Sequence, residues 1–350
     1  MRRPAQGSTF ALPLKKPLPC LLLAALTAFT ACSTTPVPPD STPGPVSRHG
    51  RLQVDGHRIV GADGQPVSLA GVSFGWSQWE AARFYNQGVV NWLKQDWQAG
   101  IVRAALGVEA TGYLRHPERN VARVTRVIDA AIADDLYVLI DWHDHHAVQH
   151  PDLAVAFFTD MARRYGQRPN VMYEIYNEPR KGLTWSRDVK PYAEKVVAAI
   201  RAIDPDNLIV VGTPNWSQDV DIAAADPIKD ANLAYSLHFY AGTHKQRLRD
   251  KAVTAMNLGA ALFVTEWGTC DSSGKGKVDL ESTRTWMAFM REWQLSHCNW
   301  GIYDKAETAA ILRRSAASRG GWRDEDLSPS GRFARGLIRQ WSEPPPATAP

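Results

Sequence analysis

Two glutamates close runs of residues that otherwise suit buried strands, and chemistry could begin there. Residues 173–179 read YEIYNEP: β-formers up to an amide and an acid, Asn177 and Glu178. Pro179 has no N–H for a ladder, so the strand is expected to stop near Glu178. Residues 261–268, ALFVTEWG, form a second apolar run that stops near Glu266. One protonated and one ionised carboxyl can split an acetal, the first protonating the leaving oxygen and the second attacking the anomeric carbon. Direct attack needs the two groups about 5–5.5 Å apart. Glu178 is read as the acid/base and Glu266 as the nucleophile. Burial near Tyr176 and tryptophans, with the charge of the other glutamate, is expected to raise Glu178. Arg103 and Tyr240 are expected to hold Glu266 ionised.

Such a pair needs a frame, and the pattern supplies one. Strand-like runs at 67–74, 101–106, 137–143, 173–178, 208–214, 233–240, 261–267 and 299–304 alternate with helical stretches at 89–98, 120–134, 153–164, 190–203, 245–257 and 280–294. Alternating β and α segments imply parallel strands with right-handed crossovers. Eight strands predict an α/β fold, a (β/α)8 barrel, and no glycine-rich phosphate loop follows the first strand to favour a dinucleotide fold. Residues 51–67 carry Asp-Gly turn signals at Asp55–Gly56 and Asp63–Gly64, a short hairpin expected on the barrel floor. Functional groups of such barrels gather at the C-terminal strand ends. Arg103, His143, Asn177, Glu178, His238, Tyr240, Glu266 and Trp300 all fall there. Asn177 would grip the hydroxyl beside the reacting carbon, His238 would orient Glu178, and His143 would bind a sugar hydroxyl.

A formal charge of +4 over 350 residues gives no argument for nucleic acid. Thirteen tryptophans serve either a large core or flat platforms for sugar rings. Arg2, Arg3, Lys15 and Lys16 precede an apolar run, residues 20–32, too short to span a bilayer. It resembles a lipoprotein signal ending before Cys32, although Phe29 stands where leucine is usual; a plain secretory signal is the alternative. The expected organisation is a signal peptide at 1–31, a Pro/Ser/Thr linker at 32–48, the catalytic barrel at 49–341 and a disordered tail at 342–350. The mature chain is exported, either anchored at the outer membrane or cell surface through lipidated Cys32 or secreted. Cys270 and Cys298 are read as free thiols.

The motifs IYNEP, HFYAGTH, FVTEWGT and DWH resemble glycoside hydrolase family 5 of clan A. GTPNWSQDVD and YDKAE narrow the likeness to its bacterial endoglucanases, subfamily 2 in type, over residues 51–341. The resemblance implies a TIM barrel, retention at the anomeric carbon, no metal or other cofactor, and internal cleavage of β-1,4-glucan. It places the acid/base on Glu178 and the nucleophile on Glu266. Arg103, His143, Asn177, His238, Tyr240 and Trp300 match other active-site positions, Trp79 matches a platform, and Lys305 and Glu307 match a sugar-contacting pair. Trp76, Ser272 and Ser273 complete the expected substrate-binding set. Gly75 stands where relatives carry histidine, with Trp76 a candidate compensation, and Gly107 where they carry tyrosine. Mannan, mixed-linkage glucan and xyloglucan stay open as substrates, and a monomer is expected.

Two other readings compete. WHDHH, residues 142–146, could supply His143 and His145 to a metal with His238, leaving the glutamates idle. A lipid-anchored sugar-binding protein without catalysis would use the tryptophans but has no need of two acids.

Overall fold

The computed structural model describes Ala11 and residues 43–342. The expected signal peptide, Cys32 and the expected tail beyond Ser342 lie outside the described residues. The strands are β1 (Ala70–Phe74), β2 (Ile101–Gly107), β3 (Tyr137–His143), β4 (Val171–Glu174), β5 (Ile209–Val211), β6 (Leu233–Tyr240), β7 (Ala261–Gly268) and β8 (His297–Ile302). They pair in parallel and in sequence order, and β8 against β1 closes the barrel. Nearly every strand residue is buried because the sheet has side chains on both faces.

Helices α1 (Gln87–Gln95), α2 (Pro117–Ala133), α3 (Pro151–Tyr165), α4 (Lys190–Arg201), α5 (Val220–Ala225), α6 (Gln246–Asn257), α7 (Leu280–Glu292) and α8 (Pro329–Ser342) occupy the crossovers and the C-terminus. The reason is visible in α3, where proline opens the helix and Ala154, Phe157, Phe158, Met161 and Ala162 bury one face. Neither α5 nor α8 was expected. The first is only six residues long; the second was overlooked although its apolar and polar residues alternate at helical spacing.

The hairpin, Gln53–Asp55 with Arg58–Val60, covers the N-terminal end of the barrel as expected. Leu52, Ile59, Val67 and Leu69 pack against the inward-facing Ile101, Tyr137, Leu139, Met172, Val210 and Phe263. Asn232 fastens it, accepting from Val54 N at 2.9 Å and donating to Leu52 O at 3.1 Å. The folded chain starts before the expected residue 49: Pro45–His49 forms a helical turn and Val46 is buried. The Asp135 carboxylate accepts from Ser47 N at 3.1 Å and anchors that turn.

Two departures shape the barrel mouth. β4 leaves the ladder at Glu174, four residues short of the expected end. Its continuation still follows its neighbours, with Ile175 N donating to Val210 O at 3.0 Å and Asn177 N to Trp142 O at 3.2 Å. In the β6–β7 pairing Ser236 faces Phe263 but His238 faces Glu266, an irregularity of one extra residue on β7. That shift sets Glu266 opposite His238. Truncating the floor layer tests the plug: Phe263→Ala should lose about 3–5 kcal/mol in urea unfolding, and a loss below about 1 kcal/mol would show that the layer is loosely packed.

Candidate active site

Arg103 is the centre of the site and is fully buried. Its Nε donates to Glu174 Oε2 at 2.6 Å, Nη1 to Ser73 Oγ and Glu266 Oε2, both at 3.2 Å, and Nη2 to Asn177 Oδ1 at 2.7 Å. Asp141 Oδ2 lies 3.0 Å from Nη2. A single cation therefore faces three buried acids. Burial works against the guanidinium's charge, but Asp141, Glu174 and Glu266 outweigh it and raise its pKa. Burial lifts Asp141 well above the carboxylate range, against Arg103 and with the help of Glu174's charge. Burial also opposes ionisation of Glu174, yet Arg103 and His238 bring it below its usual value.

The two strand-end glutamates converge. One oxygen of Glu178, one of Glu266 and a ring nitrogen of His238 all lie within 4.8 Å of one another. Tyr240 OH donates to Glu266 Oε1 at 2.7 Å. His238 Nδ1 is 2.9 Å from Glu178 Oε1, and its Nε2 is 2.8 Å from Thr265 Oγ1. Thr265 donates to Glu174 Oε1 at 2.6 Å. Hydrogen bonds thus run from Glu178 through His238, Thr265, Glu174 and Arg103 to Glu266.

The two glutamates shift in directions opposite to those expected. Burial would raise Glu178, but hydrogen bonds from His145 and His238 outweigh it and hold the carboxyl at about 2. Burial would lower His238, and the Glu174 and Glu178 carboxylates beside it instead raise it to about 9. Glu266 moves up: burial comes first, and Glu178's charge adds to it against His238 and Arg103. Arg103 and Tyr240 do bind Glu266, but they do not overcome its desolvation.

The remaining expected residues divide. His143 Nδ1 meets Asp141 Oδ2 at 2.7 Å, and its ring stacks on Trp300 at 5.0 Å between centroids. Trp76, Trp79, Trp300, Tyr303, Lys305 and Glu307 line one groove. Trp79 is 44% exposed, which suits a platform rather than core, and Trp76 lies 4.7 Å from it between centroids. Lys305 Nζ is 3.0 Å from Glu307 Oε2, and Tyr303 OH donates to the other oxygen at 2.8 Å. Ser272 and Ser273 are outside the residues lining this groove. Ser272 N donates instead to Thr243 Oγ1 at 2.9 Å, because the β7 loop folds back on the β6 loop.

Neighbouring side chains take up the space at both glycine departures. A Cβ on Gly75 would sit 3.1 Å from Tyr303 and Ala81, and Trp76 instead places its ring edge-on to His143 at 4.3 Å. A Cβ on Gly107 would lie 1.5 Å from Gln78 Oε1, so Gln78 fills the space.

Several residues of the site were missed. Glu174 had a signal: it is a charge inside an apolar run, like Arg103 and Asp141, and such charges must find each other. Asn215, Trp216 and Ser217 hold left-handed φ of 54–60° without being glycine. Trp216 N donates to Pro179 O and Ser217 Oγ to Asn177 O, both at 2.8 Å, which braces the segment bearing Glu178. The His143, His145 and His238 metal reading fails on geometry, since these three do not form a cluster among the described residues. Glu109, Asp144 and His146 do approach one another, but Glu109 is taken by His145 and His146 Nε2 by Arg180 at 2.8 Å.

A family model described as Cellulase (glycosyl hydrolase family 5) matches residues 60–306. The chain belongs to this cellulase family. Endoglucanase Z of Dickeya dadantii is 49% identical over 83% of this chain and 66% of its own length. An endoglucanase of Clostridium saccharobutylicum is 40% identical over 93% of this chain and 72% of its own. A solved structure from Cytophaga hutchinsonii superposes with a TM-score of 0.84 at 49% identity, covering 85% of this chain and 97% of that one. The family 5 match spans every barrel strand and reaches Lys305.

The Arg103 arrangement carries a prediction. Arg103→Met should cost about 3–5 kcal/mol near pH 7, as expected when a buried ion pair loses one partner. The acids left behind would have raised pKa values, so the deficit should shrink as pH falls and they protonate. Urea unfolding at pH 7 and pH 5 measures both; an unchanged deficit would show that charge is not the cause.

Proposed function

We propose that this family 5 protein is a retaining endo-β-1,4-glucanase, with Glu266 as nucleophile and Glu178 as acid/base. One observation carries the reading: the two carboxylates approach within 4.8 Å across the barrel mouth. That closeness suits direct attack, because an inverting pair needs about 6.5–9.5 Å to seat a water. Glu266 attacks the anomeric carbon while the glycosidic C–O bond breaks. The leaving oxygen takes its proton through Glu178, supplied from the imidazole unit bonded to it. Water then cleaves the glycosyl ester with Glu178 accepting its proton. Asn177, oriented by Arg103, is placed to bind the hydroxyl beside the reacting carbon. Trp79 and Trp300, with His143, Lys305 and Glu307, form the wall along which sugar rings would lie.

The open groove suits internal attack on soluble β-1,4-glucan, and the relatives named endoglucanases support that substrate. Export, with Cys32 as lipid site, belongs to the same proposal. Among the described residues no helix is long and apolar enough to cross a membrane.

Glu266→Gln should abolish hydrolysis of carboxymethylcellulose while oligosaccharide binding measured by calorimetry persists; full turnover would remove Glu266 from the mechanism. Glu178→Gln should lose roughly 10²–10⁴-fold on cellulose and much less on an aryl cellobioside with an activated leaving group. The pH profile should be a bell. Its acid limb should lie above the ordinary glutamate value of 4.5, since Glu266 is raised and must be ionised to attack. A limb below that value would contradict the assignment.

A further inference from the structure

His145, a candidate ligand in the metal reading, stands instead beside Glu178. It follows β3, between Glu109 after β2 and Glu178 after β4. Its Nδ1 and its backbone N both meet Glu109 Oε1 at 2.9 Å, and its Nε2 lies 3.4 Å from Glu178 Oε2. Its carbonyl accepts from Tyr176 OH at 3.1 Å, and Trp76 covers the ring at 5.3 Å between centroids. Glu178 is thus held on both oxygens, by His238 on one side and His145 on the other. Resting on the retaining glucanase reading, we propose that His145, oriented by Glu109, is a positioning residue that holds Glu178 and the proton it delivers.

In the forward step a proton passes from His145 Nε2 to Glu178 and on to the leaving oxygen, and His145 becomes neutral. In the second step the proton released by water returns along the same path. The charged and titratable groups near His145 are Glu109, Glu178, Asp144, His143 and His146, with His238 across Glu178. Of these the two glutamates dominate: burial would lower His145, but its bonds to Glu109 and Glu178 raise it to about 10. Glu109 is correspondingly low, its bonds to His145 outweighing burial and holding it at about 2.

The test is His145→Gln, which keeps a donor near Glu178 but cannot carry the proton, beside Glu109→Gln and the parent. Each is assayed across pH on carboxymethylcellulose and on dinitrophenyl cellobioside, with melting temperatures recorded. His145→Gln should lose roughly ten- to a hundredfold on the polymer, and at most about threefold on the activated glycoside. Its alkaline limb should move down by about one pH unit, because the last proton of the unit is then held less tightly. Glu109→Gln should shift the limb the same way with a smaller loss; its part-exposed side chain keeps the test open if His145→Gln does not fold. Limbs unmoved in both variants, or equal losses on both substrates, would overturn the proposal. A parent inert on both substrates would instead remove the glucanase reading itself.

Discussion

A guanidinium sealed from water cannot stay alone, and the site is built on how Arg103 avoids that. Five donors in one plane meet Glu174, Asp141, Glu266, Asn177 and Ser73, drawn from β1, β3, β7 and the β4 segment. A buried charge is tolerated only when paired and fully hydrogen-bonded. The arginine therefore dictates where those side chains stand. Lysine could not substitute, since a single ammonium has no fork to divide among partners on several strands.

The charge around Arg103 does not balance by simple pairing, and the imbalance is put to use. Three acids share one fixed cation, while His238 and His145 supply positive charge when protonated. Asp141 is pushed up by burial, and Glu178 is drawn down by the imidazoles despite it. Hydrogen bonding from the imidazoles thus favours the ionised form of Glu178. An intuitive rule, that a buried acid has a raised pKa, gives way here to hydrogen bonding from cations. Coupled groups of this kind share protons, so the unit is the meaningful titrating species.

Much of the barrel was legible because its strands are continuous apolar runs and its main helices bury residues at three- and four-residue spacing. The same periodicity gave no sign of α5, which is too short to show a repeat. It also placed the end of β4 too late: Ile175 and Tyr176 are as apolar as the ladder residues before them, so only hydrogen-bond geometry separates them. Among site residues, Glu178, Glu266, Arg103, His238 and Tyr240 were visible as polar breaks at apolar strand ends. His145 drew notice only as a candidate metal ligand, since its contact with Glu178 joins two separate loops. The bond from Ser272 N to Thr243 was likewise not legible, because it joins residues 29 positions apart.

By itself the amino-acid order determined the alternation of strand and helix, the closure of eight units and the kinds of group that reach the barrel mouth, because these follow from local periodicity and from where apolar runs end. The tertiary structure alone decided the spacing of Glu178 and Glu266, the irregular β6–β7 register that sets Glu266 opposite His238, and the direction in which each acid titrates. Those quantities depend on distances between residues far apart in the chain and on the water excluded around them. Neither is written in any one segment.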